Sequence, residues 1–186
     1  MCARYITFDH RDDGIFFGIA PYIRHPETDM EIRPTDSAPV FVKDADTVCP
    51  RQMRWGLPMQ RAGVIFNARA ETMDEKKLFR DAYHTRRCVV PAFGFYEWDK
   101  ESGKKYFFRQ SDEGILYMAG LYQKNREDER FVVITTQAFG AVAEIHPRMP
   151  MLLNPCQAMS WLESLEGAQR LRFADFSQLR LEPVLA

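Results

Sequence analysis

Short runs of β-branched and aromatic residues recur along almost the whole chain, and they constrain its fold more than any other feature. Runs of about four to eight such residues, bounded by Gly, Pro, Asn and Asp, are typical of β-strands. They predict strands at 4–8, 15–19, 39–42, 52–57, 87–91, 93–98, 105–109, 115–122, 131–136 and 179–186. At 64–72 they predict a strand that runs into a polar turn. Within one of these runs, Gly120 indicates a bulge or a close approach of two backbones.

Residues 73–84 have the periodicity of an amphipathic helix. Their apolar stripe consists of Leu78, Phe79 and Ala82. The acidic Asp74 and the neighbouring glutamate lie near the predicted start, where the helix dipole favours negative charge. We therefore expect a helix over this segment.

A second predicted helix covers residues 155–165. Asn154 is a favourable N-cap, and Pro155 fits the first helical position, where a backbone N–H would have no partner anyway. Before this helix, residues 138–145 are long enough for one or two helical turns. The two prolines within 146–153 favour extended backbone.

Many short strands combined with two or three separate helices are typical of the α+β class. We predict one domain over residues 1–186, with a curved, barrel-like and mainly antiparallel sheet and two or three flanking helices. A chain of 186 residues is long enough to bury a sizeable core. Its 46% hydrophobic and 27% charged residues match an ordinary soluble globular protein.

Composition and cysteine spacing argue against several classes of protein. The net charge of -1 does not indicate a nucleic-acid binder, although a local basic face is enough to bind phosphates. The four cysteines form no CxxC pair, so we expect no zinc ribbon, no metal and no cofactor. No apolar run approaches the roughly 18 residues of a membrane span, and the first residues do not resemble a signal peptide. We expect a cytoplasmic monomer with reduced thiols.

The chain begins with Met1 and Cys2, a pair with distinctive chemistry. Removal of Met1 would leave Cys2 with a free α-amine and a thiol on adjacent carbons. The amine condenses with an aldehyde to a Schiff base, and the thiol then closes a five-membered thiazolidine. Reference pKa values of roughly 8 for the amine and about 8.5 for the thiol leave both partly reactive near neutral pH. Many chains begin Met-Cys by chance, so the dipeptide alone does not establish this chemistry.

Two other residues suit proton transfer. Glu97 lies in the apolar segment FYEW, where burial would raise its pKa toward that of a general acid and base. The alternative is a structural carboxylate paired with Arg69 or Arg148. His146 is followed by a proline and lies in a segment with little apolar periodicity. Its neutral imidazole could accept a proton, although a lone histidine is more often an ordinary core or surface residue.

Five segments, taken together, resemble the SOS-response-associated peptidase (SRAP) family. They are MCAR at 1–4, WGLP at 55–58, NARAET at 67–72, RRCVVPAFGFYEW at 86–98 and HPRMP at 146–150. The resemblance implies a protein that acts on abasic sites in single-stranded DNA. It implies a thiazolidine crosslink between the amino-terminal cysteine and the ring-opened deoxyribose, and a peptidase activity that removes residues before that cysteine. Such a protein would be cytoplasmic and associated with the nucleoid when bound to DNA.

Carried over residue by residue, the resemblance makes Cys2 the nucleophile. It assigns proton transfer to Glu97 and His146. Asn67 would hydrogen-bond the sugar or hold the Cys2 amine. The resemblance also implies a DNA surface, with arginines on phosphates and tryptophans stacked on bases: Arg4, Arg69, Arg148, Trp55 and Trp98. The alternatives are solvated arginines, core tryptophans, an asparagine that begins a turn, and Glu71 as a structural partner that caps the following helix.

The chain departs from the family pattern at three places. Ala3 stands where the family usually has glycine, and alanine would hinder a positive φ or a close approach to DNA. The loop after WGLP is short and lacks a second tryptophan, and no lysine follows Lys124. Two other functions therefore stay open. One is a cysteine peptidase built from Cys2, His146 and Glu97, and the other is a module that binds single-stranded DNA without covalent chemistry.

Overall fold

A computed structural model describes residues 2–8, 29–59, 61–111, 114–125, 128–172 and 181–185. The helices among these residues are Lys77–Thr85 (α1), Gly140–Ala143 (α2), Pro155–Glu163 (α3) and Leu165–Leu171 (α4). The strands are Tyr5–Phe8 (β1), Asp29–Ile32 (β2), Ser37–Asp44 (β3), Thr47–Trp55 (β4), Leu57–Pro58 (β5), Val64–Ile65 (β6), Asn67–Arg69 (β7), Arg87–Ala92 (β8), Gly94–Trp98 (β9), Lys105–Gln110 (β10), Leu116–Lys124 (β11), Glu129–Gln137 (β12), Arg148–Pro150 (β13), Leu152–Leu153 (β14) and Leu181–Leu185 (β15).

The strands form two main sheets. The smaller sheet has the order β15-β10-β9-β1-β2, and its pairings are antiparallel. The larger sheet has the order β13-β12-β4-β3-β8-β11-β14, and β12 also pairs with β11, so the sheet curls into a barrel-like ring. Strand β12 meets β4 at only two residue pairs and then pairs with β7 in parallel, so the ring is not a closed barrel. The predicted α+β class with a curved, mainly antiparallel sheet is confirmed.

Most predicted strands are present within a few residues of their expected bounds. Exceptions are 15–19, which lies outside the described residues, and 52–57, which belongs to a longer strand that starts at Thr47. That strand ends before Gly56, whose φ of 112° strongly favours glycine. At Gly120, an added Cβ would lie 3.0 Å from the backbone carbonyl oxygen of Val132 and 2.8 Å from the Cys88 sulfur. The predicted close approach of two backbones is therefore confirmed there.

The predicted start of helix α1 is wrong. The helix begins at Lys77, because the four preceding residues form turns rather than helix. Asp74 therefore does not lie in the first helical turn but forms an ion pair with Arg172. Leu78 is 38% exposed, whereas Phe79, Ala82 and Tyr83 provide the buried face of the helix.

Helix α3 starts as predicted, and a further helix follows it. The Asn154 side chain accepts from the Gln157 N–H at 2.9 Å, and the Gln157 side chain accepts from the Asn154 N–H at 2.9 Å. This reciprocal pair is a capping box. The helix ends earlier than expected because Ser164 is extended. The Ser164 hydroxyl then caps α4 by accepting from the Gly167 N–H at 2.9 Å.

Two clusters of buried side chains fill the fold. One lies under the helices and includes Phe79, Tyr83 and Trp161. The other includes residues of both main sheets, among them Tyr5 and Trp55. No helix in the described part of the chain is long and apolar enough to cross a membrane.

Candidate functional site

The start of the chain runs beside strand β9. Tyr5 pairs with Phe95 in antiparallel register, and the Tyr96 N–H donates to the Arg4 carbonyl oxygen at 2.9 Å. This pairing brings Cys2 alongside the end of β9, which contains Glu97. Cys2 is fully buried in the cluster that the two main sheets share.

The pKa of the Cys2 thiol differs from the value expected from the sequence. Burial raises the pKa of this thiol, and the nearby Glu97 carboxylate raises it further. Its closest described hydrogen-bond acceptor is the Arg4 carbonyl oxygen, at a long 3.9 Å from the sulfur. The expected ordinary thiol pKa is therefore wrong for the folded protein, and the sulfur is protonated at neutral pH.

Asn67 holds the backbone of Cys2. It begins β7, where it pairs with Val133 of β12, and its side-chain amide donates to the Cys2 carbonyl oxygen at 2.8 Å. The side-chain oxygen of Asn67 is buried and accepts no hydrogen bond from the described residues. An acceptor in that position suits a donor N–H, such as one on a Schiff base or amine.

Glu97 lies on the buried face of β9 and is 2% exposed. Burial raises its pKa to about 7, and the backbone N–H of Trp98 and the positive charge of Lys100 oppose that rise. The suggested alternative partner Arg148 pairs instead with Glu71. A carboxyl group with this pKa is populated in both protonation states near neutral pH, as general acid–base catalysis requires.

His146 is also buried, at 7% exposure. Its backbone N–H donates to the Val142 carbonyl at 2.8 Å, and its Nδ1 lies 3.0 Å from the backbone nitrogen and 2.9 Å from the carbonyl oxygen of Arg148. Burial lowers the pKa of its imidazole. The ring is therefore neutral at pH 7, and Lys100 acts electrostatically on both His146 and Glu97.

Arg4 and Trp98 lie together on the other face of β9. Successive strand residues point to opposite faces, so Trp98 faces away from the buried Glu97. The Arg4 guanidinium lies 5.2 Å from the centre of the Trp98 ring, and its Nη1 is 3.5 Å from Glu31. Both Arg4 and Trp98 are partly exposed, so this face offers a cation and an aromatic ring beside the start of the chain.

The remaining predicted DNA residues differ in their access to solvent. Arg69 is exposed. Arg148 forms a two-bond ion pair with Glu71, at 2.6 and 2.9 Å, and its side chain is 19% exposed. Trp55 has no exposed surface, and its ring nitrogen donates to the Phe66 carbonyl at 2.8 Å. A fully enclosed ring has no face for a base, so the structure places Trp55 in the core.

Glu71 is a structural partner, as expected, because it pairs with Arg148, but its predicted capping role is wrong. Glu71 does not cap helix α1, because that helix starts six residues later at Lys77 and its N-cap residue, Lys76, makes no side-chain cap. Ala3 is not among the described residues with positive φ. The φ angle at this position therefore does not require glycine, and a close approach to DNA there stays a prediction.

One cationic residue beside the site, Lys105, was not identified from the sequence. The Lys105 amine lies 3.8 Å from the centre of the Tyr96 ring, and Lys105 pairs with Trp98 across the β9–β10 hairpin. The sequence did contain a signal for it. Strands were predicted at 93–98 and 105–109 with a hairpin loop between them, and antiparallel pairing places Lys105 and Trp98 on the same face of the sheet. Within the described ranges, no cluster of three His, Cys, Asp or Glu side chains could hold a metal ion.

Asn67 holds Cys2, three residues before β1, near the buried Glu97, whose pKa is about 7. An arrangement of this kind can support acid–base and nucleophilic chemistry. The sequence model of the SOS response associated peptidase (SRAP) family matches residues 1–184. The chain belongs to this family, which confirms the resemblance drawn from the sequence motifs.

Two relatives agree with this assignment, and two solved structures are similar in fold. The abasic site processing protein YoqW of Bacillus subtilis is 30% identical over 179 residues, which cover 87% of this chain and 80% of that protein. The abasic site processing protein YMR114C of Saccharomyces cerevisiae is 32% identical over 192 residues, covering 85% of this chain and 52% of that protein. A solved protein of Bordetella bronchiseptica superposes over 100% of both chains with a TM-score of 0.77 at 23% identity. A phage-related protein of the same organism gives 0.76 at 22% identity, over 98% of this chain and 94% of its own. These two structures share the fold.

Proposed function

We propose that this protein processes abasic sites in single-stranded DNA by forming a thiazolidine between Cys2 and the lesion aldehyde. The observation that carries the proposal is the contact of Asn67 with Cys2, beside a buried glutamate whose pKa is about 7. The family and the names of the relatives support the same substrate. The reaction needs Met1 to be removed, so that the Cys2 nitrogen becomes a primary amine.

The amine attacks first in this mechanism, because burial keeps the Cys2 thiol protonated. Its nitrogen adds to the aldehyde carbon and gives a carbinolamine. Loss of the hydroxyl as water then gives a Schiff base. The thiol proton passes to the Glu97 carboxylate, the sulfur adds to the carbon of the protonated Schiff base, and the five-membered ring closes with an N–H. The net change is one C–N bond and one C–S bond formed, with one water released.

Glu97 suits both proton transfers in this sequence. Its protonated form can donate to the departing hydroxyl, and the resulting carboxylate can then accept the thiol proton. His146, neutral because burial lowers its pKa, can accept the proton of the sugar hydroxyl as the ring opens to the aldehyde. Asn67 fixes the Cys2 carbonyl, and its buried side-chain oxygen lacks a donor that the Schiff-base or ring nitrogen would supply.

The flanking DNA strand would lie across the partly exposed face that carries Arg4 and Trp98. The guanidinium of Arg4 would contact a phosphate, and the Trp98 ring would stack on a base. Arg69 is exposed and available for a second phosphate. Trp55 does not belong to this surface, because it is fully buried.

Intact-protein mass spectrometry tests the proposal. The protein is mixed with a single-stranded oligonucleotide that contains one abasic site, and the expected product has the summed masses minus one water. Cys2→Ala should abolish the product, and Cys156→Ala, which removes an exposed thiol, should not. Protein that retains Met1 should form no thiazolidine.

Two results would overturn the proposal. An unchanged adduct with Cys2→Ala would exclude the thiazolidine, as would an adduct with protein that retains Met1. Turnover of a separate peptide would favour the peptidase function instead. Salt-sensitive binding of intact strands with no adduct would favour a non-covalent DNA-binding module.

A further inference from the structure

One face of the smaller sheet combines aromatic rings with cations. Successive strand residues point to opposite faces, so the face turned away from the buried Glu97 is defined by the β9–β10 register. We refer to it as the outer face. Four of its residues, two from β9 and two from β10, are partly exposed: Tyr96, Trp98, Lys105 and Phe107. The outer face continues the surface on which Arg4 lies against the Trp98 ring.

The three aromatic rings of the outer face are in contact with one another. The centre of the Tyr96 ring lies 6.5 Å from that of Trp98 and 4.9 Å from that of Phe107. Both distances are in the range of favourable ring pairs. The rings therefore form a continuous strip that runs from the end of β9 across to β10. Bases of single strands stack on such rings whatever their sequence.

Lys105 places a cation on this strip. Its amine lies 3.8 Å from the centre of the Tyr96 ring, a cation–π contact that holds the ammonium in position. Among the described residues, no carboxylate forms an ion pair with Lys105. An ammonium has three donors, and those that point away from the ring suit a phosphate oxygen.

Three other cations described on the outer face each lie beside a carboxylate. The Nε and Nη2 of Arg33 donate to one Glu31 oxygen at 2.9 and 2.7 Å, and the Nη1 of Arg4 is 3.5 Å from the same oxygen. At the other edge of the sheet, Arg109 pairs with Glu182 at 2.7 Å. A phosphate would compete with these carboxylates for the arginines. It would meet no such competition at the lysine on the aromatic strip.

We propose that the DNA strand on one side of the lesion runs from Trp98 onto the outer face of β10, where Lys105 binds a backbone phosphate and Phe107 packs against a base. The inference rests on the proposed function and extends its DNA surface beyond Arg4 and Trp98. The strand follows β10 rather than the β1–β2 edge, because a carboxylate already holds the cations at that edge. Ring and phosphate contacts do not read sequence, so this surface accepts any flank.

Lys105→Met tests the phosphate contact, because it keeps the length of the side chain and removes the charge. The Kd for an intact single strand should rise about fivefold in low salt. The slope of log Kd against log salt should fall by about 0.7, the value for one phosphate of a single strand. Lys105→Arg should keep both quantities close to the wild type. Phe107→Leu should weaken binding about tenfold and leave the slope unchanged, because it removes a ring and no charge.

Lys43→Met is the matched control. It makes the same change of charge at an exposed position on β3 of the larger sheet, and its Kd and slope should equal those of the wild type. A Lys105→Met variant that binds intact strands like the wild type, with the same slope, would overturn the inference. Equal losses in the two variants would also overturn it, because they would show a general effect of net charge.

Oligonucleotides with a flank on one side only test the path of the strand. One carries the abasic site at its 5′ end and the other at its 3′ end. At protein concentrations below the Kd, Lys105→Met should slow adduct formation with one of the two and leave the other at the wild-type rate. Equal slowing with both would contradict a path that only one flank takes.

The two proposals fail in different ways. Binding of intact strands involves no covalent step, so it reports on the outer face whether or not an adduct forms. A wild type that forms no adduct but loses affinity with Lys105→Met would overturn only the proposed function. A wild type that forms the adduct, with intact-strand binding that does not depend on Lys105, would overturn only this inference.

Discussion

The side-chain amide of Asn67 donates a 2.8 Å hydrogen bond to the Cys2 carbonyl oxygen, and the two residues are 65 positions apart in the chain. Strand β1, which follows Cys2, belongs to the smaller sheet, whereas Asn67 belongs to a strand that pairs with the larger one. This hydrogen bond therefore connects the start of the chain to the larger sheet. The position of any reacting group on Cys2 depends on this hydrogen bond.

Asn67→Ala should weaken that arrangement. Loss of the hydrogen bond should lower the free energy of unfolding by about 1 kcal/mol and slow adduct formation about tenfold or more. Urea titration and quenched gel assays measure the two effects. Gln123→Ala is the control, because Gln123 donates a similar 2.8 Å side-chain bond to the Leu78 carbonyl, away from the site. Equal loss of rate in both variants would contradict a specific role for Asn67.

The Glu97 carboxyl should make stability depend on pH with a defined sign. Its pKa is raised from 4.5 to about 7 in the folded protein, so between these values the unfolded chain releases a proton that the folded protein keeps. The contribution of Glu97 to the free energy of unfolding is therefore fully present below pH 4.5 and is lost as pH rises through 7. The shift corresponds to at most about 3 kcal/mol.

Glu97→Gln removes this titration. The variant should gain stability relative to the wild type as pH rises from 4 toward 8, while its rate of adduct formation falls. Denaturant unfolding at several pH values measures the difference in free energy. A difference that stays constant with pH would show that Glu97 ionises normally in the folded state.

Local sequence signals predicted most of the elements, because each strand has its own apolar run and its own turn residues. The Asn154 cap fixed the start of α3, and its capping box is local as well. Helix α1 was placed too early because Asp74 looked like a first-turn acid. Its charge is used instead by Arg172, almost a hundred residues later, and such a pairing leaves no local signal.

The motifs singled out Cys2, Asn67 and Glu97, which the structure brings together, but they did not predict the burial or pKa of each side chain. Cys2 was expected to have an ordinary thiol pKa, and burial between the sheets raises it. Trp55 was expected to stack on bases, and it lies in the core. Alternation along FYEW indicates that Trp98 and Glu97 point to opposite faces, but which face is covered depends on long-range packing.

Cysteine labelling should follow burial. Cys156 is exposed and Cys49 partly so, whereas Cys2 and Cys88 are buried and their thiol pKa values are raised by that burial. Iodoacetamide at pH 8 should therefore modify Cys156 first and Cys2 and Cys88 last, as read by peptide mapping. In urea above the unfolding midpoint, all four should react at similar rates. Early modification of Cys2 in the folded protein would contradict its burial.

Two buried tyrosines test the packing of the core. Tyr5 lies in the cluster that contains Cys2, and Tyr83 lies in the other cluster and serves for comparison. The hydroxyls of Tyr5 and Tyr83 are both enclosed and make no hydrogen bond with the described residues. Tyr5 packs edge-on against Trp55, with ring centres 5.1 Å apart, while Tyr83 packs against Trp161 under the helices. Each ring keeps its contacts when only the hydroxyl is removed.

Tyr5→Phe and Tyr83→Phe should therefore each raise the free energy of unfolding by about 1 kcal/mol, because a buried hydroxyl without a partner is costly. Thermal and urea unfolding measure the change. Only the Tyr5 variant tests the packing around Cys2, because Tyr83 lies in the cluster under the helices. If Tyr5→Phe is destabilising, its hydroxyl has a hydrogen-bond partner in the folded protein, and that result would contradict the prediction.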